Sequence, residues 1–331
     1  LPGIPQVAVF DTAFHQTIPP KAYIYGLPYA LYKKLGIRRY GFHGTSHRYV
    51  AEKAAEILKR PLEKLKIITC HLGNGASITA VDGGKSIDTT MGFTPLEGLV
   101  MGTRCGDIDP ALVPYIMEHE KLTVKQIDSI MNKNSGMLGL SETSNDMREI
   151  EAEALRGSEQ HKLALKVYSH RVKKYIGAYL AELGGADAIV FTGGVGENSH
   201  YVRETALSNM KKLGIQIDQE KNKKNEIEIS TGRVKILVIP TNEELAIARD
   251  TRQILESRER EVKKTPVKKV SYKEILLLSE DYKANLVLLW ARNPKASIAE
   301  LTKKLSNKVG RRIKTEAVKQ ELEILGLRKT S

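Results

Sequence analysis

Cysteine is almost absent from this chain. Cys70 and Cys105 are the only two in 331 residues, which excludes a disulfide framework and a four-cysteine zinc site. No apolar run is long enough to cross a bilayer and no signal-type segment opens the sequence, so a soluble protein of the reducing cytoplasm, without a membrane partner, is expected. A starting methionine is also lacking. The opening "LPGIPQVAVFDTAF" runs almost at once into a strand pattern, as expected of a fragment or a processed product. Two common nucleotide signatures are missing as well. The turn at Gly193, Gly194 and Gly196 has no third glycine at the dinucleotide spacing, and no Gly-Lys-Ser/Thr follows it as a P-loop requires.

What is present suffices for two domains: 41% of the residues are hydrophobic and 27% are charged. The net charge of +13 is unevenly placed, because residues 261–331 hold 17 Lys and Arg against 8 Asp and Glu. The segment "ESREREVKKTPVKKVS", 256–271, is charged and interrupted by Pro266. The reading that follows is a first region over 1–258, a linker over 259–272 and a small basic helical domain over 273–331.

In the first region, short β-branched strands alternate with longer amphipathic helices, which predicts an α/β fold. Three glycine-rich turns punctuate it. In "KIITCHLGNGASITAVDGGKSIDTT", 66–90, a strand meets His71-Leu72-Gly73-Asn74-Gly75 and two further strands form a hairpin around Asp82-Gly83-Gly84. In "DAIVFTGGVGENSHYVRETALSNMKKLG", 187–214, a buried-type strand runs through Gly194-Val195-Gly196-Glu197-Asn198 into a helix. Each turn can offer bare N–H groups to a phosphate, and each is equally consistent with a plain tight turn. In "PLEGLVMGTRCGDIDP", Arg104 stands among small residues, where it can approach a phosphoryl group bidentately or simply pair with Asp107 or Asp109.

The stretch "YGFHGTSH", 40–47, precedes a helical run. Free N–H groups and the positive end of the dipole there attract anions, while an ordinary cap by Thr45 accounts for the same residues. His47 receives no role.

In order, "VAVFDTAFH", "YGFHGTSH", "CHLGNGASI", "MGFTPLEGLVMGTRCGDIDP", "SNDMREI", "FTGGVGENS" and "IPTNEELAIARDT" resemble the acetate kinase family, which includes propionate kinases, from residue 1 to about 255. The resemblance implies the ribonuclease H-like α/β fold of actin, Hsp70 and sugar kinases. It also implies reversible transfer of the ATP γ-phosphoryl group to acetate, giving acetyl phosphate and ADP, with Mg²⁺ or Mn²⁺. It places the catalytic aspartate at Asp11 and the transition-state stabilisers at His43 and Arg104. Nucleotide contacts fall on His71, Leu72, Gly73, Asn74 and Gly75, on Asp146, Met147 and Arg148, and on Gly194 to Asn198. Phe42 and Pro95 match the acyl pocket and Glu243 the metal-side acid, and a homodimer is expected.

Acetate kinases carry a first domain before the position of Leu1, supplying an asparagine and an arginine that this sequence does not contain, so low turnover of the chain as given is expected. A propionate or other short-chain carboxylate kinase stays open, as does a catalytically inactive nucleotide-binding body joined to a nucleic-acid-binding module. The tail lies outside the resemblance. Its Ser297/Glu300 capping box and a last helix from Thr315 to Gly326 weakly resemble a helix-turn-helix unit, with Arg311, Arg312, Lys314 and Lys319 as candidate phosphate contacts; an accidental fusion is the other reading.

Overall fold

A computed structural model describes residues 4–264, 285–286, 288–291, 296–309 and 313–324. The β-branched segments form five strands, β1 (Lys66–Leu72), β2 (Ala76–Asp82), β3 (Lys85–Thr89), β4 (Ala188–Thr192) and β5 (Lys235–Val238), ordered β3-β2-β1-β4-β5. β1 pairs antiparallel with β2, from Lys66↔Asp82 to Leu72↔Ala76, and parallel with β4, from Ile67↔Ala188 to His71↔Thr192. β4 and β5 are also parallel. Gly83 and Gly84 both have positive φ, 55° and 79°, as a tight hairpin turn of the primed type demands, and the hairpin stands where the sequence places it. The whole is the α/β class expected, with helices on both faces.

Alternation along the strands divides the core. Ile68, Cys70 and Leu72, with Ile189, Phe191 and Ile236, pack against Leu165, Tyr168 and Val172 of the long helix Glu159–Leu183. The intervening residues Ile67, Val190 and Leu237 meet Val50 and Ala54 of the helix Gly44–Leu58. Each such burial contributes about 1.5–3 kcal/mol. Towards the end of β1 the second face turns polar. Thr69, Ser77 and Thr79 are fully buried there with Ser46 and His47 of the helix. Burying hydroxyls and imidazoles costs unless each finds a partner, so this end of the sheet is where function is expected.

The chain divides into two units, 1–254 and 255–331. The helix Glu243–Lys264 runs through the division, so residues 259–264 of the segment read as a linker are helical, and 265–272 lie outside the described residues. In the second unit, the helices Ile298–Val309 and Thr315–Ile324 bury Leu301, Leu305, Val318 and Leu322 together with Leu286, Ala296 and Ile313. The hydroxyl of Ser297 accepts the Glu300 N–H at 3.1 Å, which is the capping half of the expected box. Arg311, Arg312 and Gly326 lie outside the described residues. Among the described residues no helix is long and apolar enough to cross a membrane.

Candidate active site

The helix behind "YGFHGTSH" begins at Gly44, with His43 at the capping position, so the cap expected at Thr45 is not formed. His43 is left-handed, φ 56° and ψ 24°, and no side chain caps the helix. Asp11 meets the free donors instead: its carboxylate accepts the His43 N–H at 2.6 Å and its carbonyl the Gly44 N–H at 2.9 Å. The anion at this helix start is therefore the chain's own aspartate. Gly44 is required by that approach, since a Cβ there would lie 2.3 Å from the Asp11 carbonyl oxygen.

The His43 ring stacks on His71 with centroids 4.3 Å apart, and its Nδ1 lies 2.9 Å from Ser77 Oγ. Burial, reinforced by the nearby His71 and Arg104, holds the His43 pKa down to about 3. Burial likewise holds His71 and His15 to about 4. All three rings are neutral at pH 7.

Arg104 does not make the local ion pair that its sequence leaves open. Asp107 accepts from the Gly98 N–H, Arg171 and Tyr175, while Asp109 accepts from the Ala111 N–H. The guanidinium of Arg104 donates from Nη1 to the Pro95 carbonyl at 2.6 Å, and its Nη2 end faces Gly75.

These groups converge. Asp11, Phe42, His43, Pro95 and Arg104, drawn from three separate stretches, line one cleft of about 380 Å³ together with Asn132 and Lys133. A second cleft, about 680 Å³, is lined by Gly73, Asn74, Asp146, Met147, Arg148, Gly194, Val195 and Asn198 of the expected nucleotide set. Gly102, Met137, Asn145, Glu151, Tyr168 and Ser199 complete it.

Leu72 is instead a core side chain, and Gly196 is buried with its Cα side against the Cys70 carbonyl and Leu72. Glu197 turns back on its own loop, accepting the N–H groups of Gly193 at 2.9 Å and Thr241 at 3.3 Å. His71 and Gly75 lie outside the lining. Asp146 caps the helix Met147–Leu155 and pairs with Arg148 at 2.6 Å.

Gly75, next to Asn74 in the chain, separates the tips of Arg104 and His43. An alanine methyl at 75 would stand 2.9 Å from Arg104 Nη2 and 3.2 Å from His43 Nε2. Both tips must then move by a few tenths of an ångström. Gly75→Ala is expected to cut turnover about 10- to 100-fold, since sub-ångström misplacement of reacting groups is costly, while the melting temperature shifts little. Steady-state kinetics and a thermal melt on the same sample check both halves.

Glu243 opens the helix Glu243–Lys264, and its carboxyl is pushed up by burial and by the negative charge of Asp11. Among the described residues no group of three or more His, Cys, Asp or Glu side chains is arranged to hold a metal. A pair of carboxylates suits Mg²⁺ nonetheless, because that ion keeps several waters and takes one or two protein carboxylates beside substrate phosphates.

Several supporting contacts were not legible in the sequence. His15 donates from Nε2 to the Phe42 carbonyl at 2.9 Å, directly before His43. Arg203, fully buried, donates to the carbonyls of Gly196 at 2.8 Å and Glu197 at 3.0 Å and so pins the second glycine turn. Ser77 and Ser46 each reach a site histidine, at 2.9 and 2.8 Å. For the serines and Thr69 a signal existed, namely hydroxyls in positions that the strand and helix periods turn inward. Arg203 had none, because one arginine in a helical pattern reads as solvated.

Comparison with known proteins bears on the same region. The Acetokinase family model matches residues 1–249. A curated acetate kinase of Halothermothrix orenii is 62% identical over 261 residues, covering 78% of this chain and 66% of the relative. That of Methanosarcina thermophila is 61% identical, covering 78% and 64%. Among solved structures, Porphyromonas gingivalis acetate kinase superposes with a TM-score of 0.74 at 50% identity, covering 77% of this chain and 65% of that one. A propionate kinase from Francisella tularensis gives 0.72 at 51%, covering 75% and 64%. The chain thus spans about two thirds of the length of the relatives it matches.

Proposed function

The chain belongs to the acetokinase family, and on that premise we propose that it catalyses phosphoryl transfer between ATP and the carboxylate of acetate, giving acetyl phosphate and ADP. The observation that carries the reading is the convergence of Asp11, His43 and Arg104 with Phe42 and Pro95 around one small cleft. Phosphoryl transfer asks mainly for positioning and charge neutralisation. Arg104 offers a cationic fork and His43 a neutral ring nitrogen to the transferring group. Phe42 and Pro95 bound a space fit for a short acyl chain.

The larger cleft takes the nucleotide, with Asn74, Gly194 and Asn198 on the phosphate side. Asp11 and Glu243 hold Mg²⁺, which when bound neutralises phosphate charge; the raised carboxyl of Glu243 beside Asp11 is the mark of a place that favours a cation. Propionate in place of acetate is the near alternative, because one methylene discriminates by only about 1–3 kcal/mol. An inactive nucleotide-binding body is the distant one, and a homodimer in the cytoplasm completes the proposal.

The test is hydroxamate formation from ATP, Mg²⁺ and hydroxylamine with acetate or propionate, on the folded protein expressed from its complete gene. Acetyl hydroxamate is expected. Its absence, with nucleotide still bound, moves the reading to the inactive body; a preference for propionate reassigns the acyl pocket.

For residues 273–331 we carry nucleic-acid contact as the proposal. Lys303, Lys304, Lys308 and Lys314 are exposed on the described helices and the turn between them, which supports it. If Arg311, Arg312, Lys314 and Lys319 each neutralise one phosphate, the full chain should bind duplex DNA with a log K against log salt slope of about −3.6, flattened by about 2 in the Arg311→Ala/Arg312→Ala variant. No binding at low salt leaves the unit as a packing appendage or an accidental fusion.

A further inference from the structure

One buried residue of the "HGTSH" stretch has no part in the proposal so far. His47 is fully buried under the sheet, one helical turn after His43, and burial together with His15, His71 and His43 keeps its pKa well below the ordinary value. Both ring nitrogens are engaged. Nδ1 lies 2.8 Å from Thr69 Oγ1 and Nε2 lies 2.7 Å from Ser77 Oγ, and the same Ser77 oxygen lies 2.9 Å from His43 Nδ1.

A serine hydroxyl has a single proton, and it stands between two neutral rings. It can donate to His43 or to His47 but not to both. If it donates to His47, that ring must carry its proton on Nδ1 and give it to Thr69. The Thr69 proton is then left with the Thr79 carbonyl at 3.5 Å, the edge of a hydrogen bond. If it donates to His43, the three protons inside the relay all have acceptors at 2.7–2.9 Å: Thr69 O–H to His47 Nδ1, His47 Nε2–H to Ser77 Oγ, and Ser77 O–H to His43 Nδ1; the remaining proton, on His43 Nε2, faces the cleft. All three anchoring groups are fully buried, so an ill-fitting proton is costly and the second arrangement wins.

We propose that Thr69, His47 and Ser77 act as positioning residues that fix the tautomer of His43, leaving its proton on Nε2, the nitrogen at the cleft beside Gly75 and Arg104. A neutral ring then presents a permanent N–H donor to phosphoryl oxygens. In the opposite tautomer Nε2 is a lone pair that repels them. The inference rests on the proposed kinase reading for its kinetic consequence, but the tautomer itself can be read without turnover.

The experiment incorporates ¹⁵N-histidine into the full chain and reads the imidazole nitrogen shifts, with His43 assigned by its disappearance in His43→Gln. In the unsubstituted protein His43 is expected as one form, protonated on Nε2 and bare on Nδ1. Ser77→Ala and His47→Leu should show both forms. In the acyl phosphate assay they should lower kcat about tenfold or more while the KM for ATP stays within about twofold.

His47→Gln should restore both readouts, because the Thr69 hydroxyl holds the amide oxygen and turns the amide N–H₂ towards Ser77. Ser77→Thr should restore them too, since the hydroxyl is kept. A merely structural role for His47 would move the melting temperature without mixing the tautomers. A His43 protonated on Nδ1 in the unsubstituted protein, or a His43 signal unmoved by Ser77→Ala, overturns the proposal. Ser77→Ala removes one oxygen, so it serves if His47→Leu fails to fold. Absence of turnover with the expected shifts would strike the kinase reading and leave the tautomer assignment standing.

Discussion

Arg104→Ala lowers turnover by about 100- to 1,000-fold, or roughly 3–4 kcal/mol of transition-state stabilisation, while the KM for ATP changes by less than about threefold. The direction follows from where the guanidinium sits. It is in the smaller cleft with His43 and Asp11, whereas the nucleotide set lines the larger one. Among the described residues no carboxylate holds it, so under the proposed reading its charge is available to the group in transit. Arg104→Lys should recover only part of the loss, because an ammonium cannot reproduce the fork that reaches from the Pro95 carbonyl towards Gly75. Steady-state kinetics with ATP varied at saturating acetate decides it. A normal kcat with a raised KM would reassign Arg104 to holding the nucleotide before reaction.

The first unit unfolds steeply in mild acid, between pH 6.5 and about 4. Unfolded histidines take up a proton near 6.5, while His15, His43 and His71 resist until about 4, 3 and 4. Over that window the unfolded chain binds more protons, so their stabilising contribution is whole above pH 6.5 and shrinks as pH falls. By pH 5 each costs about 2 kcal/mol, the value of one and a half pH units.

Burial also raises the Asp88 carboxyl to about 6. It works in the opposite sense, taking its proton sooner in the folded state, and returns about 1.4 kcal/mol at pH 5. Three histidines outweigh one aspartate, and the net loss is a large part of the 5–15 kcal/mol typical of a whole domain. Urea titrations at pH 7.5, 6 and 5, followed by circular dichroism, should show the midpoint falling at each step. A midpoint that is level from pH 7.5 to 5 would mean that these rings are protonated in the native protein.

Short-range pattern made much of this legible. The hairpin at Gly83-Gly84, the strand before Gly193 and the helix after "YGFHG" follow from glycine conformation and apolar spacing, and the family motifs marked Asp11, His43 and Arg104. Their meeting did not follow from pattern. It depends on β1 running between β2 and β4, a pairing fixed by burial across more than a hundred residues.

The second layer was hidden for the same reason. Ser77 matters because its strand faces His47, and Arg203 because a turn and the segment around Asn222 close over it; its guanidinium donates to Asn222 Oδ1 at 2.7 Å. Helix ends were legible only in part. Thr45 looked like a cap, but Asp11 arrived from another part of the chain and met the donors first.

His43 keeps a left-handed backbone, which glycine and asparagine adopt more easily than an imidazole-bearing residue. The backbone alone would accept glycine or asparagine there, while the ring is held by Ser77 at 2.9 Å, by its stack on His71 and, under the proposed reading, by the transferring group. In a gene copy released from selection for turnover, glycine or asparagine at this codon would relieve the backbone while leaving Ser77 without its ring acceptor, whereas any side chain at Gly44 would strike the Asp11 carbonyl, 2.3 Å from a Cβ there. Descendants of such a copy would show a changed residue 43 before a changed residue 44, and the order of those two losses would date the end of catalysis in a lineage.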